Sequence, residues 1–308
     1  MPEPFTRRQT LTALSATVGA TLLPNKSEAA PKAPFTYCLN LSTIRGQKLG
    51  FVKEIEVAAQ AGFRSVEIWV ETLETFLKNG GTLADARKRL GDLGVTVEGA
   101  IGFAQWIVDD AVVRAKGLEQ LQREMDMLAG VGCRRIACPP AGATNQTDLD
   151  LRRAGERYRA ILELGDKTGV VPQLELWGFS KSLSRLSEVL FVAAESGHPS
   201  ARLLLDVYHL YKGGSSPDSI SLVGKPAIEI FHVNDYPASP PRETIADADR
   251  IYPGDGIAPI REILKQIKNP DRPVVLSLEL FNKTYFAQDP LQVAKTGLAK
   301  VKAVAAGA

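Results

Sequence analysis

The sequence predicts an α/β fold in which eight parallel strands, each followed by a helix, close into a single-domain (β/α)8 TIM barrel. Short runs rich in Val, Ile, Leu and aromatic residues alternate with amphipathic segments, and this alternation repeats eight times. Several amphipathic segments end at a glycine, where a left-handed helix C-cap is expected. The 44% hydrophobic and 23% charged residues are typical of a globular chain. A doubly wound open sheet is the alternative architecture.

The predicted strands are short and mostly apolar. In chain order they are FTYCLN (35–40), SVEIW (65–69), VTVEG (95–99), RRIAC (134–138), VVPQLEL (170–176), RLLLD (202–206), IEIFHV (228–233) and PVVLSLEL (273–280). Helical patterns such as FVKEIEVAAQAG and LRRAGERYRAILELGDKTG lie between them. Parallel strands joined by right-handed crossovers close into a cylinder whose functional residues lie at the carboxyl ends of the strands. We expect residues 35–305 to form this domain after a Pro/Ala linker at residues 30–34.

Residues 1–29 resemble an export signal. Arg7 and Arg8 precede an uncharged run of small and apolar residues from Leu11 to Leu23, an order typical of twin-arginine signal peptides. That run is too short to span a bilayer, which takes about 20 apolar residues. We therefore expect a soluble periplasmic protein that uses the twin-arginine export machinery and has no membrane anchor. A disordered basic leader is the alternative.

Charge and cysteine content exclude some classes of protein. The net charge of +2 gives no basic excess of the kind that nucleic-acid-binding domains carry. Cys38, Cys133 and Cys138 are odd in number and lack the spacing of a disulfide framework or a zinc site, so we interpret them as core residues. A homo-oligomer is compatible with the sequence.

Four predicted strands end in acidic or imidazole side chains. Glu175 closes the fifth strand, Asp206 the sixth, His232 the seventh and Glu279 the eighth. Four such groups in one barrel mouth would repel one another and lose hydration, and a divalent cation would remove that cost. Three carboxylates and one imidazole favour Mn²⁺ or Mg²⁺, although Co²⁺ or Zn²⁺ also fits. The sequence therefore predicts one metal ion bound by these four residues.

Other side chains follow the strand ends and are candidates for substrate contact. Flat aromatic faces suit sugar rings, but barrel loops also use aromatic residues to cover the core. Polar residues at the ends of the first and third strands either bind substrate hydroxyls or complete polar networks. The candidates are Trp177, Trp106, Phe103, Glu98 and Asn40.

The loop after the seventh strand is long and rich in proline and acidic residues, as functional loops often are. Within it, Asp235 either orients His232 or anchors the loop through Arg242 or Arg250. His198 precedes the sixth strand and is therefore expected at the opposite end of the barrel, where we interpret it as structural.

The motifs at the strand ends resemble the xylose isomerase-like barrels, a superfamily that includes sugar phosphate isomerases, ketose 3-epimerases, inosose dehydratase and apurinic-site endonucleases. The resemblance covers roughly residues 35–305, and its marks are QLELW, DVYH, HVND, DRIYPGDG and the final LEL. It implies that Glu175, Asp206, His232 and Glu279 hold one metal. It also implies that His209 and Arg250 contact substrate oxygens.

The endonuclease branch of this superfamily departs from the sequence. That branch takes further histidines from earlier strands, whereas no histidine precedes His198 here, and Ile251 stands where that branch has a histidine. A three-metal site and a nucleic-acid substrate are therefore not expected.

These residues predict a metal-dependent sugar isomerase or epimerase that acts on a ketose, a keto-sugar or a related polyol. The metal would polarise the carbonyl and stabilise an enediolate, while Glu175 and Glu279 remove and return the proton as catalytic residues. The CPPAGA and KGG segments lack the spacing of a phosphate cradle, which favours an unphosphorylated substrate. A lyase or dehydratase with the same metal site is one alternative. A non-catalytic sugar-binding barrel is another.

Overall fold

The computed structural model describes residues 33–308, in which eight parallel strands close into one barrel. Each strand pairs with the next along the chain, and the eighth pairs with the first, so the barrel prediction is confirmed and an open sheet is excluded. The predicted export segment lies outside the described residues. The strands are β1 (Phe35–Asn40), β2 (Ser65–Trp69), β3 (Thr96–Ile101), β4 (Arg135–Cys138), β5 (Val171–Glu175), β6 (Arg202–Asp206), β7 (Ile228–Val233) and β8 (Val274–Leu278).

Helices surround the barrel, and their ends follow local sequence signals. Asp110 and Asp150 each accept two backbone N–H groups at a helix start. Gly62 and Gly169 end helices with φ of 98° and 76°, a conformation that costs glycine little. The helices are α1 (Phe51–Ala61), α2 (Val70–Lys78), α3 (Leu83–Leu93), α4 (Ala111–Gly130), α5 (Leu151–Thr168), α6 (Leu186–Glu195), α7 (Val207–Gly213), α8 (Ile260–Ile267), α9 (Lys283–Phe286) and α10 (Pro290–Ala306). No described helix has the length and hydropathy needed to cross a bilayer.

The main core lies between the sheet and the helices. Tyr158 of α5 is fully buried there, and its hydroxyl lies 3.0 Å from the Pro172 carbonyl oxygen and 2.8 Å from that of Arg202. These contacts connect α5 to both β5 and β6 and satisfy a polar group that burial would otherwise leave without a partner. Cys38, Cys133 and Cys138 are buried and unpaired, in agreement with their interpretation as core residues.

An ion network fills the amino-terminal end of the barrel. Arg135 and Arg202, the first residues of β4 and β6, both pair with Glu229 near the start of β7. Arg135 Nη1 also lies 3.2 Å from a carboxylate oxygen of Glu98. Glu98 is therefore at the end opposite to the expected site, and its predicted role in substrate binding is wrong. The alternative, that it completes a polar network, agrees with the structure.

Candidate active site

The carboxyl ends of β6, β7 and β8 bring together three of the predicted metal ligands. Asp206 is the last residue of β6 and pairs in register with His232 of β7, while Glu279 directly follows β8. One ligand atom from each of these residues lies within 4.8 Å of the other two, and all three side chains are buried. Glu175 lies outside this 4.8 Å group, so its membership of the four-residue metal set stays a prediction.

Asp206 is held by both of its carboxylate oxygens. Oδ1 accepts the backbone N–H of His209 at 2.8 Å, which caps the start of α7. Oδ2 accepts Nδ2 of Asn234 at 2.8 Å and Nη1 of Arg250 at 3.2 Å. The sequence DVYH thus fixes Asp206 locally, because the cap residue and the capped N–H are three positions apart, and leaves Oδ2 directed at the site.

His232 is oriented by Glu67, a residue that the sequence analysis missed. Nε2 of His232 lies 2.9 Å from Oε2 of Glu67. Nδ1 lies 3.1 Å from Oε2 of Glu279 and 3.9 Å from Oδ2 of Asp206, and it has no hydrogen-bond partner. Burial lowers the pKa of His232, but the Glu279 and Glu67 carboxylates outweigh it and hold the pKa well above its ordinary value. The signal for Glu67 was a carboxylate in the middle of the otherwise apolar strand SVEIW.

Asn40 has no hydrogen-bonding capacity left for a substrate. Its Nδ2 donates to Glu67 Oε2 at 3.1 Å and to Glu279 Oε1 at 3.0 Å, while its Oδ1 accepts from Trp69 Nε1 at 3.2 Å and from the Ser42 backbone at 3.0 Å. An asparagine amide offers two donors and two acceptor positions, so all are used. The prediction that Asn40 binds substrate is therefore wrong, and Asn40 instead holds the two carboxylates in place.

Arg250 is fully buried and supplies the positive charge of the site. Its Nη1 lies 2.7 Å from Glu279 Oε2 and 3.2 Å from Asp206 Oδ2, and its Nη2 pairs with Asp247. The guanidinium also lies 4.5 Å from the ring centre of Tyr208. Burial lowers the pKa of Arg250, but the neighbouring carboxylates outweigh that effect and raise it above the usual range. Arg250 therefore remains charged and neutralises part of the carboxylate cluster.

Arg250 reaches the site because the long loop after β7 is anchored at its base. The backbones of Asp235 and Ile251 pair with each other, which places Arg250 at the barrel mouth. The Asp235 carboxylate accepts backbone N–H groups of Gly254, Gly256 and Ala258 at 2.9–3.0 Å. Asp235 thus anchors the loop, as one of its two predicted roles required, but through backbone amides instead of an arginine.

Burial and neighbouring charges shift the pKa values of two glutamates and a histidine in this site. Burial raises the pKa of Glu175 to about 8, with Glu279 adding to the rise and His232 opposing it. For Glu279, burial is outweighed by His232 and Arg250, which hold its pKa well below the ordinary value. Burial and Arg250 together lower the pKa of His209, so its imidazole is neutral. Two glutamates in one cavity therefore differ in protonation because their neighbours differ.

A divalent cation fits the residues present. Glu175 Oε2 is a buried polar atom without a hydrogen-bond partner, a costly state that a bound ion would relieve. His232 Nδ1 lies where the ligand atoms of Asp206 and Glu279 converge, and Glu175 and Glu279 line the same cavity. This set of oxygen donors with one imidazole nitrogen is suited to a divalent metal.

A cavity of about 300 Å³ opens above these groups. Its polar lining includes Glu175, Glu279, Arg250, His209 and Asp247. The apolar lining consists of Trp69, Ile101, Phe103, Trp177, Phe179, Ala248 and Phe281. Trp177 and Phe103 therefore line the cavity, and their contact with a substrate stays a prediction. A larger depression of about 480 Å³ lies at the start of α1 and does not include the carboxylate cluster.

Trp106 does not reach this cavity. Its side chain is fully buried, its Nε1 donates to the Pro139 carbonyl oxygen at 2.9 Å, and its ring packs 5.9 Å from that of Tyr158 on α5. The prediction that Trp106 binds substrate is wrong, because the loop after β3 turns it towards the helix layer. His198, interpreted as structural, lies 3.2 Å from Asp166 and is not among the cavity residues.

Comparison with known proteins gives a family match and two distant relatives. The model of the xylose isomerase-like TIM barrel family matches residues 55–304. The chain is similar to 3-dehydroshikimate dehydratase from Pseudomonas putida, with 24% identity over 255 residues, which cover 80% of this chain and 38% of that protein. It is also similar to inosose isomerase from Bacillus subtilis, with 26% identity over 139 residues, which cover 44% of this chain and 50% of that protein. The match thus spans half or less of either relative.

The fold also resembles solved structures. The crystal structure of IOLI protein with a binding zinc atom superimposes with a TM-score of 0.80 at 18% identity, over 88% of this chain and 98% of that one. At that identity the likeness concerns the fold.

Proposed function

Because the chain belongs to the xylose isomerase-like TIM barrel family, we propose that it is a metal-dependent enzyme that moves a proton next to a carbonyl group. In this proposal it isomerises or epimerises a neutral ketose, keto-sugar or related polyol. The observation that carries the proposal is the convergence of Asp206, His232 and Glu279 within 4.8 Å, beside a cavity lined by Glu279 and by Glu175, whose Oε2 has no hydrogen-bond partner.

Asp206, His232 and Glu279 would hold the metal, and Glu175 would complete the set. Mn²⁺ or Mg²⁺ is our proposal for the ion, because carboxylate oxygens dominate the donor set, while Co²⁺ and Zn²⁺ also accept such ligands. When bound, the ion supplies a Lewis acid that polarises the substrate carbonyl and lowers the pKa of the neighbouring C–H group. Glu67 keeps Nε2 of His232 occupied, which leaves Nδ1 directed at the ion site.

In this proposal Glu175 and Glu279 handle the proton from two sides of the substrate. They extend from β5 and from the end of β8, and both line the cavity. The raised pKa of Glu175, about 8, means that it holds a proton at neutral pH until a nearby cation stabilises the carboxylate. Glu279 is already ionised beside Arg250. One glutamate thus removes a proton while the other returns it on the opposite face.

Arg250 and His209 complete the proposed substrate contacts. Arg250 Nη2 lies 3.0 Å from Nε2 of His209, so the two side chains form one polar edge of the cavity. A guanidinium donates to hydroxyl or carbonyl oxygens, and a neutral imidazole can donate or accept. Together they would orient the oxygens next to the reacting carbon.

The charge of the cavity supports a neutral substrate. Among the described residues, Arg250 is the one arginine or lysine that lines it, and its guanidinium already pairs with three carboxylates. A substrate phosphate or carboxylate would meet Glu175, Glu279 and Asp247 without a free cationic partner. This favours a ketose or an inosose over a sugar phosphate.

A β-elimination is the second candidate reaction, and the similarity to 3-dehydroshikimate dehydratase favours it. The same residues serve both reactions, because a carbanion next to a carbonyl either takes up a proton or expels a group from the adjacent carbon. Products distinguish the two: isomerisation conserves the mass of the substrate, whereas elimination loses water or an alcohol.

Metal analysis followed by a solvent-deuterium screen tests this proposal. Purified protein loaded with Mn²⁺ is incubated in D₂O with neutral ketoses and inososes, and exchange of the proton next to the carbonyl is followed by NMR. We expect one deuterium per converted molecule, and loss of exchange in Glu175→Gln. Glu98→Gln, at the opposite end of the barrel, is the matched control and should keep the exchange. Binding of a sugar without any exchange by wild-type protein would instead indicate a sugar-binding barrel.

Export to the periplasm through the twin-arginine machinery is part of the same proposal. It rests on the order of Arg7, Arg8 and the small apolar run that follows. Fractionation of cells that express the full chain tests it. Replacement of both arginines by lysine should retain the protein in the cytoplasm, and periplasmic recovery of that variant would contradict the proposal.

A further inference from the structure

Aromatic side chains form a continuous border around the cavity. Trp69 and Phe103 have ring centres 5.4 Å apart, Phe103 and Trp177 6.1 Å, and Trp177 and Phe179 5.1 Å. Phe281 adds to this border, with its ring centre 6.1 Å from that of Trp69. We call these five residues the aromatic rim.

Two members of the aromatic rim are unusually exposed. Phe103 is 41% exposed and Phe179 is 45% exposed, whereas Trp69 is 8% exposed. Single exposed apolar side chains are common on protein surfaces. These two, however, flank Trp177 and continue the lining of the cavity outwards. Covering the core therefore does not account for them, because their outer faces contact solvent.

The cavity is small for a substrate larger than one ring. Its volume of about 300 Å³ is at the lower end of the range for small-molecule sites. The polar groups that would act on a keto-sugar, Glu175, Glu279, Arg250 and His209, lie together on its lining. A sugar ring that reaches them would take up much of this volume, and a substituent directed to solvent would lie against the exposed Phe103 and Phe179.

We propose that Phe103, Trp177 and Phe179 form a subsite for a second ring, so that the substrate is a neutral glycoside and not a free monosaccharide. This inference rests on the proposed function for the position of the first ring. Flat rings, whether aromatic or pyranose, present apolar faces that stack on such side chains. Among the residues that line the cavity, Asp247 is a partly exposed carboxylate paired with Arg250, so an anionic substituent next to it would be repelled.

Glycosides that cannot enolise test the subsite independently of the proposed proton transfer, because they can bind but cannot react. Three test ligands lack the keto group and share one β-glucosyl ring: methyl β-D-glucopyranoside, phenyl β-D-glucopyranoside and cellobiose. They differ only in the group attached to that ring, which is a methyl group, an aromatic ring or a second sugar. Calorimetric titration of the full chain with Mn²⁺ gives the Kd of each. We expect the phenyl glycoside or cellobiose to bind about tenfold more tightly than the methyl glycoside, since ring stacking contributes roughly that factor. The phenyl and cellobiose arms then show whether an aromatic ring or a second sugar is preferred.

Variants test whether the tighter binding of ring-bearing glycosides depends on the aromatic subsite. In wild-type protein, the Kd of the methyl glycoside is expected to be about tenfold higher than that of the ring-bearing glycoside. Phe103→Ala and Phe179→Ala should each lower this ratio of Kd values to threefold or less. Phe191→Ala is the matched control, because Phe191 is 38% exposed on α6 and does not line the cavity, and it should keep the ratio.

The outcomes are distinguishable from failure of the proposed function. Equal affinity for the methyl and ring-bearing glycosides in wild-type protein would overturn the subsite alone, whereas no binding of any of them would overturn both the subsite and the position of the first ring. A concentration-dependent dimer in light scattering that Phe103→Ala dissociates would also overturn the subsite, because a second copy would then cover these rings. A ring preference without proton exchange on any keto-sugar would keep the subsite and reject the enolisation chemistry.

Discussion

Replacement of Glu67 by glutamine tests the most specific feature of the site, the carboxylate behind His232. Oε2 of Glu67 is the common acceptor for His232 Nε2 at 2.9 Å, Ser277 Oγ at 2.8 Å and Asn40 Nδ2 at 3.1 Å. Glutamine has nearly the same shape, and its amide oxygen offers two acceptor positions to these donors. Glu67→Gln therefore removes the charge and keeps most of the hydrogen bonding in place.

The expected magnitude follows from the loss of charge on one hydrogen bond. Hydrogen bonds to charged groups contribute about 1.5–3 kcal/mol, against about 0.5–1.5 kcal/mol for neutral ones. A loss of about 1.4 kcal/mol at the bond to the imidazole corresponds to about a tenfold weaker metal affinity. Partners of this kind typically change metal affinity by about 10–100-fold, so the two figures agree at the lower end.

The assay is competition of the protein with a metal-sensitive dye for Mn²⁺ at neutral pH. Glu71→Gln, an exposed change at the start of α2, is the control and should bind the metal as wild type does. Glu67→Ala should also lower the free energy of unfolding without metal by about 3 kcal/mol or more, because three buried donors lose their acceptor. Wild-type metal affinity in Glu67→Gln would refute the idea that Glu67 orients and polarises His232.

Three further changes have calculable effects. Gly99→Ala should weaken metal binding in the same dye assay, because a Cβ at Gly99 would lie 2.8 Å from Oε1 of Glu67 and displace it. Arg250→Met should lower the unfolding free energy of the metal-free protein by about 3–5 kcal/mol, since it leaves buried carboxylates unpaired, and Mn²⁺ should then raise the Tm more than in wild type. Burial raises the pKa of Glu54 to about 7 from an ordinary 4.5, so its contribution to stability is present below pH 4.5 and is lost as pH rises towards 7. In urea unfolding, Glu54→Gln should reduce the fall in unfolding free energy between pH 4.5 and pH 7 by up to about 3 kcal/mol.

Each of these expectations has a contrary result. Unchanged metal affinity in Gly99→Ala would mean that the neighbouring strand yields without moving Glu67. If Mn²⁺ raised the Tm of wild type and of Arg250→Met equally, Arg250 and the metal would not neutralise the same carboxylates. A wild-type pH profile in Glu54→Gln would place the titrating group elsewhere, whereas Glu71→Gln should keep that profile.

Local sequence patterns were sufficient for the barrel. Strand and helix signals alternate eight times, and capping residues such as Asp150 and Gly169 set helix ends. The chemistry at the ends of β6, β7 and β8 was equally accessible, because parallel strands in a barrel carry their carboxyl ends to one face. Asp206, His232 and Glu279 were therefore predictable as neighbours without knowledge of any distance.

Side-chain direction was not accessible in the same way. Trp106 and Phe103 both lie in the loop after β3, yet Trp106 packs on α5 and Phe103 lines the cavity. Glu98 and Glu67 are both carboxylates on strands, but Glu98 lies at the amino-terminal end and Glu67 lies behind the metal ligands. A shift of one or two residues along a tilted strand decides which end of the barrel a side chain reaches.

The amino-acid sequence by itself determined the eightfold barrel and the face on which its polar strand ends meet, since both follow from periodicity and chain direction. Tertiary structure alone decided how those polar groups are partnered. Glu67 supports His232, Asn40 is fully used between two carboxylates, and Arg250 enters from a distant loop to neutralise them. These contacts join residues far apart in the chain, and they depend on strand register and loop anchoring, which no local pattern encodes.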